Sequence, residues 1–217
     1  MRVSRVQAAE NREAVINAAS RLFREHGFDG IGLKDLMKGA GLTQGAFYKQ
    51  FTSKEDLVAQ ASKRALESAS RRWSDAAAAN PGDALGAVAT FYLSAEHREE
   101  RTDGCPIVAL GSDAARQGSD VKASFEGGIK AYLDVLGHMV AEPDGRQPKG
   151  KAMAILSTMV GALTLSRVVN DADLAQAFLD AAIEQVRDAV PRKQGRRRQA
   201  QARGDRNRLA HGTKVRR

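Results

Sequence analysis

Residues able to do covalent or acid–base chemistry are few and scattered in this chain. The four histidines, His26, His97, His138 and His211, share no metal-ligating spacing. The HExxH pattern, which sets two imidazoles and a general base on one helix face, is missing. His97 stands among Glu96, Glu99 and Glu100, but no third catalytic partner can be placed, and a polar helix end accounts better for the cluster. Cys105 is the single cysteine, which excludes an internal disulfide and any multi-thiolate zinc site. No catalytic residue, metal-ligand set or cofactor is assigned, and an enzyme is not expected.

A second group of polar residues is compact. Thr43, Gln44, Gly45, Tyr48 and Lys49 fall within seven positions, and Lys54 follows closely. In a short helix they lie opposite Phe47 and Phe51, whose side is the one to bury. A glutamine amide can pair bidentately with adenine in a major groove. The Thr43 and Tyr48 hydroxyls and the Lys49 and Lys54 ammonium groups suit phosphate oxygens, and Gly45 permits close approach. Arg2, Arg5 and Arg12 upstream add phosphate contacts or an arm for the minor groove. The alternative is an αα-hairpin with a polar face, in which Tyr48 is structural and the lysines are solvated.

The elements that must position these groups are helical. Val15, Ala18, Ala19, Leu22 and Phe23 form a stripe that Gly27 closes as a C-cap. Leu33, Leu36, Met37 and Ala40 form a shorter one that stops at Gly41, where a sharp turn favours positive φ. Thr43 caps the next unit, to about Lys49, and Leu42 plugs the corner. Ser53 followed by Glu55 and Asp56 starts a helix that runs to the Asn80-Pro81-Gly82 break. Further helices are expected over about 83–100, 120–141, 151–169 and 171–190, with short or irregular helix over 107–117. No alternating β-branched run competes. The fold class is all-α, with about nine helices.

Composition agrees and sets limits. Of 217 residues, 42% are hydrophobic and 28% charged, enough for a real core. Apolar runs fall short of a bilayer span, and no apolar leader follows Met1, so neither membrane association nor export is expected and the location is cytoplasmic. The net charge of +8 is misleading. From Arg192 to Arg217 there are eleven Lys or Arg and one Asp, whereas the preceding body carries 23 basic and 25 acidic side chains. The expected division is 1–54, 55–190, and a basic disordered tail over 191–217, an accessory that adds salt-sensitive attraction to phosphates.

The stretch from Ala14 to Leu57 closely resembles the DNA-binding domain of TetR-family transcriptional regulators. The likeness runs through "AASRLFREHGFDG" and "LKDLMKGAGLTQGAFYKQFTSKEDL", covering about a quarter of the chain. One departure is Gly32, where members often carry a Thr or Ser that caps the second helix and touches phosphate. The resemblance implies an N-terminal three-helix helix-turn-helix domain followed by a helical ligand-binding and dimerisation domain. The function it implies is a homodimeric repressor on palindromic double-stranded DNA, released by a small-molecule effector. Carried over by position, the effector cavity draws on Trp73, Phe91, Tyr92, Cys105, Phe125, Tyr132 and Met139. Gly104-Cys105 resembles a step found in one branch of the family, some members of which sense oxidants or electrophiles; thiol sensing at Cys105 is therefore an alternative. Met153, Leu156, Met159, Val160 and Leu163, with Gly161 and Ala162, form one expected dimer face; Leu179, Ile183 and Val186 form another. The competing possibility is that these faces close an intramolecular bundle. A carrier or enzyme without specific DNA binding is the reading from another class.

Overall fold

The computed structural model describes residues 4–142 and 144–189; the expected basic tail lies outside them. Ser4 begins α1 (Arg5–His26) by accepting the Gln7 N–H at 3.1 Å. The helix buries Val15, Ile16, Ala19 and Phe23. It ends on Gly27, whose φ of 77° is a left-handed value that any side chain would strain. α2 (Leu33–Gly39) starts on Gly32, where the backbone carbonyl alone accepts from Asp35 and Leu36. Gly41, with φ 73°, turns the chain.

The polar unit then forms as a 3₁₀ helix, Gln44–Lys49, rather than an α-helical turn. Thr43 stands at its N-cap but makes no side-chain cap bond; its carbonyl accepts from Ala46 instead. Ser53 caps α3 (Lys54–Ala79) through the Asp56 N–H at 3.0 Å. The helix expected over 83–100 is two helices, α4 (Ala84–Tyr92) and α5 (Ala95–Glu99). Ser94 makes the break, because its side chain accepts the His97 N–H and starts a new helix. α6 (Pro106–Ala114), α7 (Ser119–Met139), α8 (Lys149–Val168) and α9 (Ala172–Asp188) complete the all-α fold.

α1, α2 and the 3₁₀ unit pack with the start of α3 around Phe23, Leu36, Met37, Phe47, Phe51 and Leu57. At 26 residues, α3 is roughly 39 Å long and continues into the second half. Its main neighbour there is α7, and the approach is close: a Cβ on Gly128 would lie 2.7 Å from Leu66 Cβ.

α8 packs mainly on α9. Leu156, Met159, Leu163, Leu179 and Val186, expected on dimer faces, are buried within the protomer and close the bundle. The large apolar side chains left outward on these helices are Met153, Leu165, Val168 and Leu174. Among the described residues α8 alone is long and apolar enough to cross a membrane, with mean hydropathy 1.2. Ser157, Thr158, Gly161 and Thr164 interrupt its apolar runs, so no uninterrupted apolar span stands out along it.

Candidate functional site

The polar cluster of residues 43–49 is held from beneath by aromatic packing. Phe47 is fully buried, stacks on Phe51 with centroids 5.5 Å apart, and meets Tyr48 edge-on at 5.1 Å. Tyr48 is consequently 71% exposed although its neighbour is in the core. Thr43, Gln44, Gly45 and Lys49 are exposed beside it, and nothing lies within 4 Å of a Cβ placed on Gly45. Arg5 is exposed in the first turn of α1.

Two basic residues expected on this face have other work. Lys54 donates from Nζ to the Ile31 carbonyl at 2.9 Å, tying α3 to the loop before α2. The Arg12 guanidinium lies 5.0 Å over the Phe51 ring, a cation–π contact that holds it against the domain. Arg2 lies outside the described residues. The exposed set is therefore Arg5, Thr43, Gln44, Gly45, Tyr48 and Lys49.

Four of the seven residues expected to line a cavity meet in the second half. Trp73 packs 5.2 Å from Tyr92 and 4.4 Å from Tyr132, between centroids. All three rings and Cys105 are buried. Neither phenol oxygen has a hydrogen-bond partner of good geometry, and the Cys105 thiol is a polar group beside each. Burial, with Cys105 adding to it, pushes both phenols well above their usual pKa of 10.0. Phe125 is buried on α7 and Met139 half-buried near its end. Phe91 does not join them: it is 40% exposed and stacks on the His97 ring at 6.0 Å.

His97 has both ring nitrogens engaged. Nε2 accepts the Cys105 N–H at 3.0 Å, so the ring proton sits on Nδ1 and is donated to the Tyr92 carbonyl at 2.6 Å. Burial lowers its pKa below 6.5, consistent with a neutral ring.

Sequence reasoning missed three arginines that fasten the segment between α5 and α6. Arg24 on α1 donates to the Gly104 carbonyl at 3.1 Å and to Asp103 Oδ1 at 3.2 Å. Arg72 on α3 donates to the Asp103 carbonyl. Arg167 on α8 reaches the carbonyls of His97, Arg98 and Glu100 at 2.7–2.9 Å. Burial lowers the pKa of Arg24 and of Arg167. A signal was present for Arg24, which falls four residues after Ser20 and eight after Ile16 on the buried side of α1. The N-terminal unit is joined here a second time, by the Phe28 N–H donated to Asp113 Oδ2 on α6 at 3.3 Å.

α2, the turn at Gly41 and the exposed polar Gln44–Lys49 element together form a helix-turn-helix unit. Residues 15–61 match the family model for bacterial regulatory proteins of the tetR family. Over 130 residues the chain is 23% identical to the HTH-type transcriptional repressor NemR of Escherichia coli strain K12, covering 58% of this chain and 65% of that one. The chain thus spans somewhat less than two thirds of that relative. It is 40% identical over 57 residues to the HTH-type transcriptional repressor BepR of Brucella suis biovar 1, about a quarter of each (26% and 27%). Among solved structures, reduced E. coli NemR superposes with a TM-score of 0.71 at 20% identity, covering 84% of this chain and 98% of that one. A TetR-family regulator from Cytophaga hutchinsonii also gives 0.71, at 17% identity and with 87% and 98% covered. The chain has the fold of TetR-family transcriptional regulators and carries their helix-turn-helix domain. The reading as a regulator rather than an enzyme rests on that match.

Proposed function

We propose that the chain is a homodimeric, ligand-responsive repressor acting in the cytoplasm on a palindromic DNA site. The observation that carries this reading is the exposed face of Thr43, Gln44, Gly45, Tyr48 and Lys49 mounted on buried Phe47. Gln44 reads a base edge, and Thr43, Tyr48, Lys49 and Arg5 hold phosphates. Residues 1–54 form the reading unit, 55–190 the effector and dimerisation unit, and 191–217 a basic accessory. The dimer uses the outward apolar residues of α8 and α9, Met153, Leu165, Val168 and Leu174. It sets two reading faces one helical turn apart, about 34 Å.

The effector binds at the Trp73–Tyr92–Tyr132–Cys105 core. These side chains pack on one another and are buried, so the effector has to part them; buried hydroxyls without partners cost on the order of 1–3 kcal/mol each, and a ligand with hydrogen-bond acceptors recovers part of that. Release from DNA requires the ligand to favour a state in which α3 holds the reading faces at the wrong separation. The α5–α6 segment supports such coupling, since it touches the core through Cys105 and α1 through Arg24.

Selection from a random duplex library tests the reading. A palindromic consensus is expected, with Gln44→Ala relaxing one base position and Tyr48→Ala lowering affinity about 10-fold or more without unfolding the chain. Absence of any sequence preference over competitor DNA refutes it.

A second reading is sensing of electrophiles at Cys105 in the Gly-Cys branch; the thiol is buried beside both phenols, so an electrophile reaches it only as the core opens. Addition to an activated C=C bond would form a thioether at Sγ, with the thiol proton ending on the neighbouring carbon in place of the π bond. Loss of operator affinity on treatment with N-ethylmaleimide, absent in Cys105→Ala, supports it; equal loss in both proteins rejects it.

A further inference from the structure

A cleft of about 430 Å³ lies apart from the aromatic core, where α1, the α5–α6 segment, α6 and the α8–α9 turn meet. Its volume is in the range of small-molecule sites. Four arginines line it: Arg24, Arg98, Arg101 and Arg167. Only two carboxylates do, Glu25 and Glu99, and Glu99 is committed to Arg98 at 2.7 Å. Arg24 leans on Asp103, which lies outside the lining and is shared with Arg21.

Two guanidinium groups are left without an acid. Arg167 engages Nε and Nη2 on three backbone carbonyls, which leaves Nη1 to donate, and, among the described residues, it meets no carboxylate within ion-pair distance. Arg101 makes neither a hydrogen bond nor an ion pair among those residues and is exposed at the mouth. Arg167 is a partly buried cation with no counter-ion, which is costly, and its guanidinium, like that of exposed Arg101, matches a carboxylate or phosphoryl group in shape and charge. Val108, Ala109 and Ala175 line the same cleft, a short aliphatic patch beside the charged one.

We propose that this cleft binds a small organic anion, with its carboxylate or phosphoryl head on Arg101 and Arg167 and a short aliphatic body against α6 and α9. This goes beyond the regulator reading. The site shares no lining residue with the aromatic core, and its test needs no DNA.

Isothermal titration of the full-length protein at low ionic strength tests it, with hexanoate, succinate, hexyl phosphate and inorganic phosphate as probes. Hexanoate against hexyl phosphate distinguishes the head groups, and inorganic phosphate measures what charge alone achieves. At least one organic probe should saturate at one site per chain, more tightly than inorganic phosphate. Arg101→Gln should weaken it about tenfold, equivalent to one charged contact. Arg167→Met should weaken it at least as much, and Arg71→Gln, an exposed arginine outside the cleft, should leave it unchanged. Arg101 holds no contact on which folding depends, so its variant remains informative even if the Arg167 variant is unstable. Three results overturn the proposal: no organic probe saturating below about 10 mM, Arg101→Gln binding like the wild type, or Arg101→Gln and Arg71→Gln losing affinity equally.

Discussion

Replacing Arg24 by methionine separates a structural arginine from a surface one. The thioether chain preserves much of the packed stem and removes every donor. Nε is bonded to the Ser20 carbonyl, Nη1 to Gly104 and Nη2 to Asp103. These three bonds are unequal. The Ser20 carbonyl keeps its helical N–H partner, so its loss is small. The Asp103 side chain is half exposed, and water replaces most of that ion pair, worth under about 1 kcal/mol. The Gly104 carbonyl is the costly one, because a buried acceptor losing a charged donor forfeits about 1.5–3 kcal/mol. Relief from desolvating the guanidinium offsets part of this. The net expectation is a loss of about 2 kcal/mol, or a fall in Tm of roughly 4–8 °C for a chain of this size. Urea unfolding of the full chain at pH 7, followed by circular dichroism, measures the free energy. Arg24→Lys should lie between, since an ammonium cannot fork. Arg21→Ala should be silent, because that side chain is 61% exposed and 3.6 Å from Asp103. An Arg24→Met variant within about 0.5 kcal/mol of wild type refutes the reasoning.

The remaining expectations concern pH, one lysine and the partner face. His97 is held neutral below its ordinary 6.5 by burial, so below about pH 6.5 the unfolded chain binds a proton that the folded chain refuses. Stability is full above that value and falls by up to about 1.4 kcal/mol per pH unit towards the depressed folded value. The drop in urea midpoint between pH 7.5 and 5.5 should be smaller in His97→Gln, and equal drops contradict this. Lys54→Met should cost about 1 kcal/mol, because the Ile31 carbonyl loses its donor, while operator affinity stays within about twofold. Lys49→Met should show the opposite pattern in the same two assays. For the proposed dimer, Val168→Glu combined with Leu165→Glu, both exposed, should shift sedimentation to monomer with the helical spectrum intact; sedimentation like that of the wild type contradicts this interface.

Much of the helix order was legible because its cues are local. Gly27, Gly41 and Ser53 mark boundaries by their own backbone or capping chemistry, and apolar spacing reveals which face is inward. Ser94 was missed for the converse reason: a serine within an apolar stripe is read as tolerated until its capping bond to the His97 N–H is seen. The polar face of residues 43–49 was legible in type and position. Lys54 and Arg12 were not, since a charge near such a face looks free until the Ile31 carbonyl and the Phe51 ring are found beside it. Phe91 misled because helical periodicity ran through the break at Leu93. Burial of Leu156, Met159 and Leu163 within the protomer depends on which of two apolar faces the chain uses first, and periodicity shows both alike. The arginine clamp was the hardest feature to foresee, for all but one of its acceptors are backbone carbonyls that carry no residue identity.

That clamp also limits modularity. A hybrid regulator built by grafting a foreign reading head onto this body would replace α1, and with it Arg24 and the Phe28 N–H. The Gly104 carbonyl and the Asp113 carboxylate would then face a surface that was never shaped to meet them. Such chimeras inherit the joint only if the incoming head supplies an arginine at the place of Arg24. Interchangeability between heads and bodies is thus decided by the fit of one helix end, not by the choice of residue at which the two sequences are cut.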